Sequence, residues 1–238
     1  MQKIKICGIT QERELDKLIE LKVDYGGFVV FYPKSRRNNN IEQASKLIKY
    51  VKEKKKAGKE VISLKTVAVM VSPDIEQLKA AEAAGFDILQ IHGKLNEEVK
   101  NESHLPIWKA FNLSSYEDIP SYEDIASYED IASYEDIDMV AGSLKKIVSD
   151  DKISGIVFDG ASYGGGEAFK WEAHKNININ DKLFILAGGL TPENVGEAIR
   201  ILKPHVADVS SGVEYDDKSI AGKDFEKLKS FVDAVRSC

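Results

Sequence analysis

L-A-G-G-L-T-P-E-N-V at 186–195 and V-A-D-V-S-S-G-V-E at 206–214 carry one pattern twice. Each is a short apolar strand that stops at small residues and hands over to a helix. Gly188 and Gly189 leave backbone N–H groups bare at the first strand end, and Ser210, Ser211 and Gly212 repeat the arrangement at the second. Thr191 is expected to cap the helix after the first strand, with Pro192 in its first turn and Glu193 close behind. Bare amides and a helix dipole both favour negative charge, so two neighbouring strand ends of this kind make an anion cradle. In eight-stranded barrels of alternating strands and helices, a phosphate sits in the loops after strands seven and eight. The plainer reading, that these glycines only make tight turns, suits one Gly-Gly pair better than two strand ends about twenty residues apart.

The rest of the chain is built from the same unit. Lys3 to Cys7 alternates apolar and polar residues and reads as strand one, and Gln11 to Lys22 carries Leu15, Leu18, Ile19 and Leu21 at helix spacing. Gly26 to Phe31 is a continuous apolar run, as a parallel strand covered on both faces requires. After the polar, basic loop Tyr32 to Asn40 comes a helix from Ile41 to Lys56. Further strands are expected at Thr66–Val71, Phe86–Ile91, Ile107–Phe111, Ile153–Phe158, Lys182–Ala187 and Val206–Val209. Helices are expected from Ser72-Pro73 through Ala84, in a short polar piece before Ile107, at Glu193–Leu202 and at Lys223–Val235. Eight strands alternating with helices predict an α/β chain closed into a single (β/α)8 TIM barrel, and 238 residues suit that domain. The rival is an open, doubly wound sheet. Against it, no G-x-G-x-x-G opens the first helix and the phosphate-type loops come late.

Bulk properties exclude several classes. No apolar run approaches the ~20 residues that cross a bilayer, and the chain enters a strand at once, with no signal peptide in view. Two cysteines, Cys7 and Cys238, give no disulfide framework and suit a cytoplasmic protein. A net charge of -6 argues against non-specific nucleic-acid binding. The Lys52 to Glu60 run reads as a solvated helix end entering a turn at Gly58.

One segment breaks the order. Ser115 to Asp138, in the region of strand and helix five, is a tandem hexapeptide: S-Y-E-D-I-P, two copies of S-Y-E-D-I-A, and S-Y-E-D-I-D. Each copy starts like a helix cap, so helical turns are expected. Tyr and Ile recur every third residue, a spacing that drifts around a helix and holds no straight apolar stripe. Its nine acidic residues outweigh the chain's net charge of -6, so the remainder is net positive. The plain reading is a surface expansion of the first turn of helix five, without function; the sharper one is an acidic docking tether.

Barrel chemistry lies at the C-terminal ends of strands, and there stand Cys7, Arg36 or Arg37, His92, Asp159 and Asp208. Cys7 ends strand one and Asp159 ends strand six, on opposite sides of the ring. A thiolate facing a protonated carboxylic acid removes a proton on one side of a substrate and delivers one on the other. That use needs a thiol pKa lowered by cations or amides and a carboxyl pKa raised by desolvation. Read plainly, Cys7 is a small core residue and Asp159 a turn cap. An arginine of the pair 36–37 offers a bidentate clamp for a carboxylate, and at least one of the two is expected to be a solvated charge. His92 is a ligand contact or a helix cap. Gly164 to Gly166 form a candidate lid.

At this point the residues resemble a known family. K-I-C-G-I-T at 5–10, G-F-V-V-F-Y-P-K-S-R-R at 27–37, L-Q-I-H-G at 89–93, F-D-G at 158–160 and Y-G-G-G-E-A-F-K-W at 163–171 resemble phosphoribosylanthranilate isomerases, as do the two stretches at 186–195 and 208–214. The resemblance spans nearly the whole chain except Asn112 to Asp150. It implies the Amadori rearrangement of N-(5-phosphoribosyl)anthranilate in tryptophan biosynthesis, an aldose–ketose isomerisation without cofactor or metal. It further implies Cys7 as general base and Asp159 as general acid. Arg37, His92 and Asp208 then contact the substrate, with Arg37 near the anthranilate carboxylate. Gly188, Gly189, Ser210, Ser211 and Gly212 hold the phosphate. The expected partner is a phosphorylated small molecule, with neither nucleic acid nor membrane, acting as a monomer or homodimer. Lys170 departs from the acidic or amide residue usual in the family, and the hexapeptides replace a short helix five. If they displaced strand six, Asp159 would be misplaced; they are expected not to, because outer elements tolerate insertion better than barrel strands.

Two other readings remain. A histidine-pathway or bifunctional Amadori isomerase resembles this chain, but its base is a carboxylate where Cys7 stands, and it needs a second anion cradle. A catalytically silent barrel that binds a phosphorylated ligand and recruits a partner through the acidic repeat has no need of both Cys7 and Asp159.

Overall fold

The computed structural model describes residues 2–57, 62–112, 144–159, 171, 179–217 and 219–238. Eight strands form its centre: β1 Lys3–Cys7, β2 Tyr25–Val30, β3 Lys65–Val71, β4 Ile88–His92, β5 Ile107–Asn112, β6 Ile153–Asp159, β7 Leu183–Leu186 and β8 Val206–Val209. Each pairs in parallel with its neighbours in chain order, and β1 pairs with both β2 and β8, so the sheet closes into a barrel. Strand side chains alternate between two apolar layers. Tyr25, Val67, Val69, Trp108, Ala110, Val157, Ile185 and Val206 fill the ring. Ile4, Ile6, Phe28, Met70, Leu89, Ile91, Phe158 and Leu186 face outward and pack with the helices. Burial on both faces is why these strands read as apolar runs.

The helices are α1 Glu12–Glu20, α2 Ile41–Ala57, α3 Ile75–Ala84, α4 Glu97–Glu102, α5 at 144–148, α6 Val195–Leu202 and α7 Phe225–Arg236. Among the described residues none is long and apolar enough to cross a membrane. Asp74 caps α3 with its carboxylate on the Gln77 N–H at 2.8 Å, and Gly85 ends it at φ 86°.

Two expectations change. Thr191 does not cap α6. Asn194 closes the loop instead, its side chain accepting from the Thr191 N–H and donating to the Gly189 carbonyl, both at 2.8 Å. That double contact bends 192–194 into a turn, so Pro192 lies before the helix, which starts at Val195. The strand expected from Phe86 starts at Ile88, and β4 ends at His92, opposite Val71.

β6 sits between β5 and β7 in register from Ile107↔Ile153 to Asn112↔Asp159, with one irregularity at Ile107/Trp108. The strand that follows the hexapeptides in sequence therefore has its place in the barrel. The hexapeptides themselves, the turn at Gly58, the glycines 164–166 and Lys170 lie outside the described residues.

Candidate active site

The C-terminal ends of the strands surround a cavity of about 540 Å³. Cys7, Arg37, His92, Asp159 and Asp208 line it, with Gly188, Gly189, Ser210 and Ser211 on one side. The sequence-predicted residues thus converge, Gly212 alone lying behind the wall. A Cβ on Gly212 would stand 2.0 Å from the Leu190 carbonyl oxygen, so only glycine lets the loops after β7 and β8 touch. Gly188 and Gly189 have φ of 86° and 62°. Their N–H groups, and those of Ser211 and Gly212, take no hydrogen-bond partner among the described residues. Unpartnered N–H donors of this kind are the groups that an anion would use.

Asp159 ends β6 in the cavity wall, where it is partly buried. Burial, with the charge of Asp208 added and that of Lys5 opposing, pushes its carboxyl up to about 7. A carboxyl held near neutrality can stay protonated and donate a proton. Burial and the charges of Lys5 and Lys109 press His92 down to about 3, so it is a neutral imidazole. Its Nδ1 stands 4.0 Å from Asp159 Oδ2, and its Nε2 is 2.9 Å from the Gln90 amide nitrogen. Gln90, two residues earlier on the same face of β4, also lines the cavity.

Cys7 ends β1. Its thiol differs from expectation: burial pushes it above its ordinary 9.0, assisted by Asp208 and opposed by Lys5, Lys223 and Arg37. The cations are present, but desolvation of the thiolate outweighs them. The Cys7 carbonyl accepts from Ser210 Oγ at 3.1 Å, which ties β1 to the loop after β8.

Residues 4–134 and 130–234 match the family described as N-(5'phosphoribosyl)anthranilate (PRA) isomerase. The chain belongs to that family. A curated N-(5'-phosphoribosyl)anthranilate isomerase from Thermoanaerobacter sp. (strain X514) is 35% identical over 242 residues, covering 99% of this chain and 98% of that one. One from Streptococcus mutans is 32% identical over 237 residues, covering 99% and 100%. Among solved structures, phosphoribosyl anthranilate isomerase from Thermotoga maritima aligns with a TM-score of 0.73 at 26% identity, over 100% of both chains.

In this member of the PRA isomerase family, the remaining predicted contacts are engaged by residues that the sequence did not point to. Asp208 is 4% exposed and accepts from the Lys5 ammonium through Oδ2 at 2.7 Å. Its Oδ1 has no partner among the described residues. Arg37 grips Glu214 with Nε and a terminal nitrogen at 2.6 and 3.1 Å. Arg36 pairs with the same carboxylate, so neither arginine is a purely solvated charge. Lys223, fully buried, donates to Glu214 at 3.2 Å and to the Ser210 carbonyl at 3.0 Å, which puts a cation behind the cradle. Burial opposes ionisation of Glu214, but Arg37, Lys223 and Arg36 hold its carboxyl down at about 2. Buried Asn39 completes the wall, donating to the Ile9 carbonyl at 2.9 Å and fixing the Arg36–Arg37 loop to the end of β1.

Proposed function

We propose that Cys7 and Asp159 carry the isomerisation of N-(5'-phosphoribosyl)anthranilate to its aminoketose. Asp159 protonates the furanose ring oxygen, and the C1–O bond breaks to leave a Schiff base. The Cys7 thiolate takes the C2 proton, the C–H electron pair moves into the C1–C2 bond as the C1=N pair moves onto nitrogen, and the resulting enolamine becomes the ketone as C1 gains a proton and the C2 hydroxyl loses one. The phosphate lies on Gly188, Gly189, Ser210, Ser211 and Gly212, and Arg37 receives the carboxylate through the N–H groups that Glu214 leaves open. His92 and the free oxygen of Asp208 contact the sugar.

The observation that carries this reading is the placement of Cys7 and Asp159 on strands β1 and β6 of one cavity, with Asp159 held at about 7 by its surroundings. The substrate is a phosphorylated small molecule, and the chain acts as a monomer or homodimer. Both cysteines are unpaired, which suits a reducing compartment, the cytoplasm.

The test is turnover of the substrate by wild type and Asp159→Asn, followed by loss of substrate fluorescence. The variant is expected to lose about 10²-fold or more in kcat. A variant as fast as wild type would remove Asp159 from the mechanism.

A further inference from the structure

Lys5 is 0% exposed and stands two residues before Cys7, on the same inward face of β1. Its ammonium lies 2.7 Å from Asp208 Oδ2 on the neighbouring β8. Beside it, on β2, Gly27 has no side chain. A Cβ there would stand 3.0 Å from the Cys7 sulfur and 3.0 Å from the Lys5 ammonium nitrogen. Sulfur and nitrogen therefore share the space above one bare Cα and lie no farther apart than twice that distance. An ammonium has three N–H donors, and Asp208 takes one. Replacing a buried ion pair with apolar residues is often neutral or stabilising, so burial of this pair is not by itself a sign of a stabilising role.

We propose that Lys5 is the positioning residue of the base: held by Asp208 beneath Cys7, its ammonium is the counter-charge on which the thiolate forms, and Gly27 leaves room for the two to meet. This rests on the reading of Cys7 as the base. Four charges face the thiol: Lys5 on its own strand, Asp208 on β8, Arg37 from the loop after β2, and Lys223 ahead of α7. Arg37 and Lys223 are both committed to Glu214. Lys5 is the strongest influence against burial of the thiolate. Its charge also reaches His92 and Asp159, and Tyr25 is its neighbour in register. Burial alone would push Lys5 down, but Asp208 and Cys7 hold it above its ordinary value, so it stays charged.

Alkylation of Cys7 by iodoacetamide across pH, in a Cys238→Ser background, reads the thiolate directly. Lys5→Met is expected to move the midpoint up and to slow alkylation at about pH 8 by about tenfold. Lys5→Arg keeps a positive charge at the position, so its midpoint is expected to stay nearer that of wild type than that of Lys5→Met. Rescue by the charged variant is the signature of charge; a merely structural role moves both variants alike or neither. An unchanged midpoint in Lys5→Met, or an equal rise in Lys5→Met and Lys5→Arg, would overturn the proposal. If Lys5→Met does not fold, Lys5→Gln, which keeps a donor toward Asp208, is read in its place against the same outcomes. Failure of the base assignment shows elsewhere: Cys7→Ala would turn substrate over at the wild-type rate whatever the midpoints.

Discussion

Arg37 and Glu214 meet at two points, 2.6 and 3.1 Å apart, across the rim of the cavity. The contact joins the loop after β2 to the end of the phosphate-type loop after β8, and Lys223 anchors it from below. Glu214→Gln leaves three cations around a neutral amide. It is expected to cost about 3 kcal/mol of stability and to raise KM about tenfold with a smaller change in kcat, because Arg37 loses its fixed orientation. Steady-state kinetics with thermal unfolding checks both.

The same carboxylate gives a pH signature. Glu214 is held at about 2, below its ordinary 4.5. A lowered carboxyl stabilises the fold fully above its unfolded value and loses that contribution as pH falls through its folded value. The stability gap between wild type and Glu214→Gln is therefore expected to be constant above 4.5 and to narrow as pH falls toward 2. Unfolding curves at neutral and acid pH measure it.

Activity has its own window. Asp159 titrates at about 7 and Cys7 above its ordinary 9.0. Between those values the pair holds one proton. The reacting form, thiolate facing carboxylic acid, is the minor placement of that proton, so it is populated only where the one-proton state is. kcat/KM is expected to rise through about pH 7 and to fall above the thiol value. A profile that peaks well below pH 7 contradicts this assignment.

Gly212→Ala places a Cβ 2.0 Å from the Leu190 carbonyl and must part the two loops. KM is expected to rise, and inhibition by inorganic phosphate to weaken in parallel. Equal phosphate inhibition in variant and wild type would separate this glycine from the cradle.

The hexapeptides enter between strands that pair in register on both sides. Removing residues 121–138, three of the four copies, is expected to leave kcat/KM within about twofold, as insertions outside the barrel strands are tolerated. A large loss on deletion would make the segment part of the catalytic unit.

The barrel was legible because its strands are buried on both faces and bounded by glycine, serine and proline, a local signal. That Cys7, Asp159 and the glycine and serine loops after β7 and β8 gather at one cavity was legible because all of them stand at strand ends. Glu214, Lys223 and Lys5 were not. Lys5 reads as the polar member of an alternating strand, and its partner Asp208 lies 203 residues away. Glu214 stands 177 residues from Arg37. Nothing local announces a contact closed only when β8 meets β1. The thiol's direction was missed for a related reason: its cations can be named from sequence, but how dry they leave it depends on packing. Thr191 and Pro192 match a helix start, and only the side chain of Asn194 delays it.

The most direct test of the acid–base account is Cys7→Ala, with turnover of N-(5'-phosphoribosyl)anthranilate and affinity for the aminoketose product measured on the same preparation. The account predicts a loss of about 10²-fold or more in kcat with product affinity unchanged. A Cys7→Ala protein that turns substrate over as fast as wild type would contradict it.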